Sequence, residues 1–289
     1  MECVWLMQTP SGLAPAWREA FEAACEARGW AFASQIRGEP TPLAAADRPQ
    51  LVVSWLDEAG DLAVSHWCVQ RGPASESAEV LIAQDNLTEI EGLYAGSHRL
   101  ATAERLIAGG AVVFDFESET VVVPGLGEVS RSSKPASSKA PALRTALDLY
   151  RHAPIRVGDS AEWMPAIFSY PDRVTSGDTP DGLISLIGRR RNLMAGPNIF
   201  LPPGVWRFEG QFSLTPPPQT ELLIEWGFGY DVQSLTTVFE RAGRFSFSFE
   251  HVWTDVAPAD FRISLMIPAL VGQLEFHGGV VTRLADKAS

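Results

Sequence analysis

The sequence predicts an α/β (or α+β) domain followed by an all-β antiparallel sandwich. Three observations predict this. Residues 130–141, SRSSKPASSKAP, contain no aromatic and no large aliphatic side chain, so they cannot build a core and read as a linker. Before them, helical and strand periods alternate along the chain. After them, apolar residues fall on alternate positions between glycine and proline turns. At 289 residues the chain can bury two cores. The expected division is an α/β domain over 1–128, a linker over 129–141 and a sandwich over 142–289.

In the first domain, residues 4–7 form a short apolar run suited to a buried strand. Pro15 opens a helix, where its missing N–H costs nothing, and Trp17, Phe21 and Ala24 recur at helical spacing up to a terminating Gly29. Residues 30–33, 51–56 and 64–69 read as the next strands. Asn86 with Glu89 gives a capping-box pattern for a second helix. Its stripe runs through Leu87, Ile90, Leu93 and Tyr94, continues after a break at Gly96 through Leu100, Ala103 and Ile107, and stops at Gly109-Gly110. Two apolar strands follow at 111–116 and 120–123. The predicted order is βαβββαββ, which favours a mixed layer over a helical bundle.

In the second domain, residues 143–150 read as one short helix and 183–187 as an apolar strand. Alternation then recurs at Trp206, Phe208, Gly210 and Phe212, at Leu222, Ile224 and Trp226, and at Phe245, Phe247 and Phe249. It continues at Phe261, Ile263 and Leu265 and at Leu274 and Phe276. Pro202-Pro203-Gly204 and Pro216-Pro217-Pro218 divide these runs.

Composition narrows the partners. A formal net charge of −12 disfavours nucleic acid, whose binding rests on neutralising phosphates with Lys and Arg. The run Arg189-Arg190-Arg191 goes against this balance and reads as a solvated strand end. The three cysteines are scattered, with no CxxC and no Cys/His cluster, so neither a disulfide framework nor a zinc site is expected. The first residues lack the basic and apolar regions of a signal peptide. No apolar run approaches the roughly 20 residues that span a bilayer. A cytoplasmic protein that is not membrane-spanning is the expectation.

One stretch carries a resemblance. Residues 196–207, GPNIFLPPGVWR, resemble the "GPY-x-x-LPPG-x-[WY]-R" opening of jelly-roll domains in bacterial proteins tied to polysaccharide assembly. Asp260-Phe261-Arg262-Ile263 and the closing 272–278, GQLEFHG, fit the same pattern. Asn198 stands where that pattern often has an aromatic. The resemblance implies a jelly-roll-like sandwich that binds carbohydrate.

Sugar recognition uses flat aromatic faces against C–H surfaces and polar groups against hydroxyls. The candidate ligand-binding residues are therefore Trp206, Trp226, Trp253 and Tyr230, with Asp231 as an acceptor beside Tyr230. Asp172, Asp178 and Asp181 lie in an oxygen-rich loop that reads as an acidic turn or a calcium loop. Asp115 and Glu117 end a strand in the D-x-[DE] form that could hold a divalent metal, with no other cofactor expected. Gly125-Leu126-Gly127 begins a GxGxxG pattern, but Ser130 and the linker follow where a helix is required. No catalytic motif stands out, and the reading leans away from an enzyme. Three functions follow: an accessory protein of polysaccharide or glycoconjugate biosynthesis that binds glycan or a protein partner; a small metal-dependent glycosyltransferase using Asp115 and Glu117; or a homo-oligomeric assembly protein.

Overall fold

The computed structural model describes residues 2–35, 47–59, 62–131, 144–171, 182–215 and 219–286. The acidic loop with Asp172, Asp178 and Asp181, the prolines at 216–218 and most of the expected linker lie outside these residues. The chain divides into two compact units, Met1–Pro141 and Ala142–Ser289.

The first unit is built on a parallel sheet of β1 (Cys3–Gln8), β2 (Ala31–Gln35), β3 (Gln50–Ser54), β4 (His66–Arg71) and β5 (Val112–Asp115), in the order β2-β3-β1-β4-β5. All six residues of β1 are buried. Val4 and Leu6 face the helix α1 (Ala14–Ala27) through Trp17, Phe21 and Cys25, while Met7 joins Val69 and Ala103 in a separate cluster. Burial on both faces explains why residues 4–7 read as a continuous apolar run with no alternation. A hairpin of β6 (Thr120–Val123) and β7 (Gly127–Ser130), turning at Gly125-Leu126-Gly127, adds Val121, Val123, Leu126 and Val129 to the α1 side.

The region between β4 and β5 differs from the sequence expectation. Two helices occupy it, α2 (Ala74–Asp85) and α3 (Glu89–Ala108). Asn86 does not start a helix; it ends α2 in the left-handed conformation, which its short polar side chain tolerates. The capping box belongs to Thr88 and Glu91. Hydrogen bonds from Thr88 hold the Glu91 carboxyl below its ordinary pKa. Helix α3 runs unbroken through Gly96. A Cβ at Gly96 would sit 3.3 Å from Ala78 Cα, and one at Gly92 would run into the Ile82 side chain. These glycines let α2 and α3 approach closely. Ile90 and Tyr94, placed by periodicity on the buried stripe, are exposed.

The second unit holds two antiparallel sheets. One has the order β10 (Arg191–Leu201), β15 (Ala257–Leu265), β12 (Thr220–Phe228), β13 (Asp231–Phe239). The other has the order β14 (Gly243–Trp253), β11 (Gly204–Thr215), β16 (Gln273–Ala285), β8 (Ser160–Trp163), with β9 (Leu183–Ser185) also paired to β16. A 3-10 helix spans Arg144–Tyr150. Aromatic rings from the two sheets interlock: Phe208 on Trp226 at 4.9 Å, Phe247 on Phe261 at 4.8 Å, and Trp163 on Trp226 at 5.8 Å between centroids. The alternating positions predicted on β11, β12 and β15 are the buried ones, which makes this unit a β-sandwich. No helix among the described residues is long and apolar enough to cross a membrane.

Three outcomes are expected. Trp226→Ala lowers the stability of the sandwich by about 3–5 kcal/mol in urea unfolding. Trp226→Phe costs less, because the buried indole N–H of Trp226 has no hydrogen-bond partner among the described residues and its removal relieves that cost. Burial pushes the thiols of Cys25 and Cys68 up to about 12. At pH 8 these two thiols stay protonated and unreactive towards a thiol reagent in the native chain, and all three react once it is unfolded.

Candidate functional site

The sheet β14-β11-β16-β8 turns one face inward to the aromatic core and the other to solvent. The solvent face carries an open groove of about 710 Å³. Strand register arranges its polar side chains in rows. Glu162 on β8 is opposite Val280 on β16, Val280 is opposite Glu209 on β11, and Glu209 is opposite Ser248 on β14. In the next row, Gln211 is opposite Ser246. Ser213 is opposite Arg244 at the far end.

A bulge shapes the middle of the groove. Gly210 pairs with Gly279 and Phe212 with Phe276, so Gln211 faces two residues, His277 and Gly278. Gly278 takes φ +87°, and a Cβ there would sit 2.7 Å from the Trp163 carbonyl oxygen, so only glycine fits. With the bulge in place, His277 reaches Ser213, its Nε2 lying 2.7 Å from Ser213 Oγ.

Electrostatically the groove holds two carboxylates against one guanidinium. Arg207 Nε lies 3.1 Å from Glu209 Oε2 in a solvent-exposed pair along the same strand. Among the described residues, Glu162 and Arg244 form no ion pair. The groove thus offers two carboxylates, an amide, an imidazole and several hydroxyls, with Val280 the apolar side chain between the carboxylates. Such a set accepts and donates hydrogen bonds to a polyhydroxylated ligand.

The residues expected from sequence to contact ligand lie elsewhere. Trp206, Trp226 and Trp253 are all fully buried, which corrects their assignment as sugar platforms: their rings fill the space between the sheets. Trp206 Nε1 donates to the Pro202 carbonyl and Trp253 Nε1 to the Ala257 carbonyl. Tyr230 is fully exposed in the β12–β13 turn, and Asp231 beside it is exposed with Oδ2 3.5 Å from His251 Nε2. Neither lines the groove. Asn198 lies at a bulge of β10 in the left-handed conformation that asparagine tolerates. Asp115 and Glu117 are both exposed, and Asp115 Oδ1 accepts the Glu117 backbone N–H at 2.9 Å, the bond of a tight turn. Among the described residues no cluster of three or more His, Cys, Asp or Glu is arranged to hold a metal.

No protein-family model matches the chain, and no curated protein matches it. Carbohydrate-binding modules recur among the solved structures it is similar to. One is the CBM61 module TmCBM61 in complex with β-1,4-galactotriose, at 9% identity over 40% of this chain and 80% of that one, with a TM-score of 0.29. Another is the CBM22-1 xylan-binding domain from Paenibacillus barcinonensis Xyn10C, at 8% identity over 46% of this chain and 99% of that one, TM-score 0.26. The PRD1 vertex protein P5 is similar at 11% identity over 45% of this chain and 99% of that one, TM-score 0.25. Likenesses this distant assign no ligand.

The groove residues Glu162, Glu209, Gln211, Ser246, Ser248 and His277 are not singled out by the sequence as ligand contacts. Their signal was present as the polar half of each alternating strand, which periodicity treats as generic solvent face. Tyr230→Ala, at a ring that packs on nothing, is expected to shift stability by less than about 0.5 kcal/mol in thermal unfolding.

Proposed function

We propose that the chain is a non-catalytic carbohydrate-binding protein whose β-sandwich takes a glycan in the groove across β14-β11-β16-β8. The observation that carries this reading is the density of hydrogen-bonding side chains on one sheet face: Glu162, Glu209, Gln211, Ser246, Ser248 and His277 around an open groove of about 710 Å³. Carboxylates suit this task because each can accept two hydroxyl protons in charge-assisted bonds. Glu162, which makes no ion pair among the described residues, favours a neutral sugar over a uronate beside it. With the tryptophans committed to the core, recognition rests on polar contacts and on Val280.

The resemblance of 196–207 and 272–278 to sandwich domains of polysaccharide-assembly proteins supports a place in bacterial polysaccharide or glycoconjugate biosynthesis. In that setting the groove would hold a growing or finished chain while another protein acts on it.

Calorimetric titration of the full chain with neutral oligosaccharides selected on a glycan array tests this. Binding is expected, with Glu162→Ala and Glu209→Ala each weakening it about tenfold or more through a lost charge-assisted hydrogen bond. Ser246→Trp, which fills the groove from its exposed face, is expected to abolish it. Binding to no neutral glycan, or binding indifferent to all three substitutions, would overturn the proposal.

A further inference from the structure

The sandwich ends in a tip unrelated to the groove. Two loops meet there, 186–190 ahead of β10 and 266–272 between β15 and β16. Backbone bonds lock them together: Gly188 N–H donates to the Ala269 carbonyl at 2.8 Å, Ala269 N–H returns to the Gly188 carbonyl at 2.9 Å, and Leu186 N–H donates to the Gly272 carbonyl at 3.0 Å. Leu186 and Ala269 are buried beneath the tip. Above them, Leu270 is 88% exposed, Ile187 and Val271 are each 59% exposed, and Ile267 is 42% exposed. The bridges between 187–188 and 269 make these four side chains one patch, not scattered residues.

The same tip carries the arginine run. Arg191 is structural: its guanidinium donates to the carbonyls of Ser185, at 2.7 Å, and Arg189, at 3.2 Å. Arg189 and Arg190 are exposed, and among the described residues neither makes an ion pair. In a chain of net charge −12, two exposed cations beside an apolar patch form a local reversal of sign.

We propose that this tip docks on a membrane surface bearing anionic lipids. Ile187, Ile267, Leu270 and Val271 enter the boundary of headgroups and acyl chains, and Arg189 and Arg190 meet lipid phosphates and carboxylates at the headgroup level. The charge complementarity sets the occupant, since the arginines need an anionic partner next to an apolar phase. The bracing agrees: loops held by these three backbone hydrogen bonds lose little conformational freedom on insertion. Two arginines and a few aliphatic side chains make the contact peripheral and reversible, and salt weakens its electrostatic part.

Vesicle co-sedimentation of the full chain tests this. The chain should bind vesicles of phosphatidylcholine mixed with phosphatidylserine, bind phosphatidylcholine alone far less, and lose binding as sodium chloride rises. Arg189→Ala with Arg190→Ala should weaken binding roughly 30-fold, at about 1 kcal/mol for each basic residue near the surface. Leu270→Asp with Val271→Asp should abolish it while leaving the melting temperature unchanged, because both side chains are exposed. A fluorophore attached through Leu270→Cys reports insertion directly, since the three native cysteines are buried and stay unlabelled; its emission should rise on phosphatidylserine vesicles. Three results would each overturn the proposal: no sedimentation with phosphatidylserine vesicles, equal binding to phosphatidylcholine alone, or undiminished binding by the Leu270→Asp, Val271→Asp variant. The last, with a change of oligomeric state in light scattering, would make the tip a contact between copies of the chain.

Discussion

The sandwich depends on Trp226. Its indole lies against Phe208 at 4.9 Å, Trp253 at 5.2 Å and Trp163 at 5.8 Å, so one side chain from one sheet contacts three strands of the other. Phe261 extends the same layer through Phe208, Phe247 and Phe276. Large rings bury much apolar area and prefer offset or tilted neighbours, so this layer sets the spacing of the sheets and the register of the strands that supply it.

Committing the aromatics inward decides what the outer face can be. On β11, β14 and β16 every ring turned to the core leaves its neighbours on the solvent side, and these are Glu209, Gln211, Ser246, Ser248 and His277. The bulge at Gly278 then brings His277 against Ser213. The polar groove is a consequence of the aromatic core and the pleat together. At the tip the balance reverses: Leu186 and Ala269 are buried, and the larger Leu270 and Val271 remain outside.

The first unit solves its packing differently. A parallel sheet buried on both faces favours a continuous apolar run in its central strand, which β1 supplies from Cys3 to Met7, and its buried last residue, Gln8, donates its side-chain amide to Gln70 Oε1 at 2.8 Å on β4. Where two helices must approach closely, small residues replace large ones, as at Gly92 and Gly96 against Ala78 and Ile82. Among the described residues of this unit, buried charge is confined to a pair, Arg71 with Glu104, joining the end of β4 to α3.

Much of the secondary structure was legible from period alone, because hydrophobic spacing reports which side of an element meets a core. Strand β1, helix α1 and the alternating strands β11, β12, β14, β15 and β16 follow from Val4, Trp17, Phe208 and Phe261 and their neighbours. Helix α2 was not legible, since its residues carry little amphipathic signal and Asn86 suits either end of a helix. Strand β13 was missed because both its faces are largely exposed and no alternation marks it. The candidate site was the least legible part. Sequence can state that Trp206, Trp226 and Trp253 alternate with polar residues, but which face holds the groove and which is core depends on the sheet packed opposite. Only the pairing of strands far apart in sequence brings Glu162 within two strands of Glu209, and only the bridge from Gly188 to Ala269 sets Arg189 and Arg190 beside Leu270. Periodicity is a local property carried by neighbouring residues, whereas a groove or a patch is made by chain segments that share no sequence neighbourhood and meet because the core closes between them.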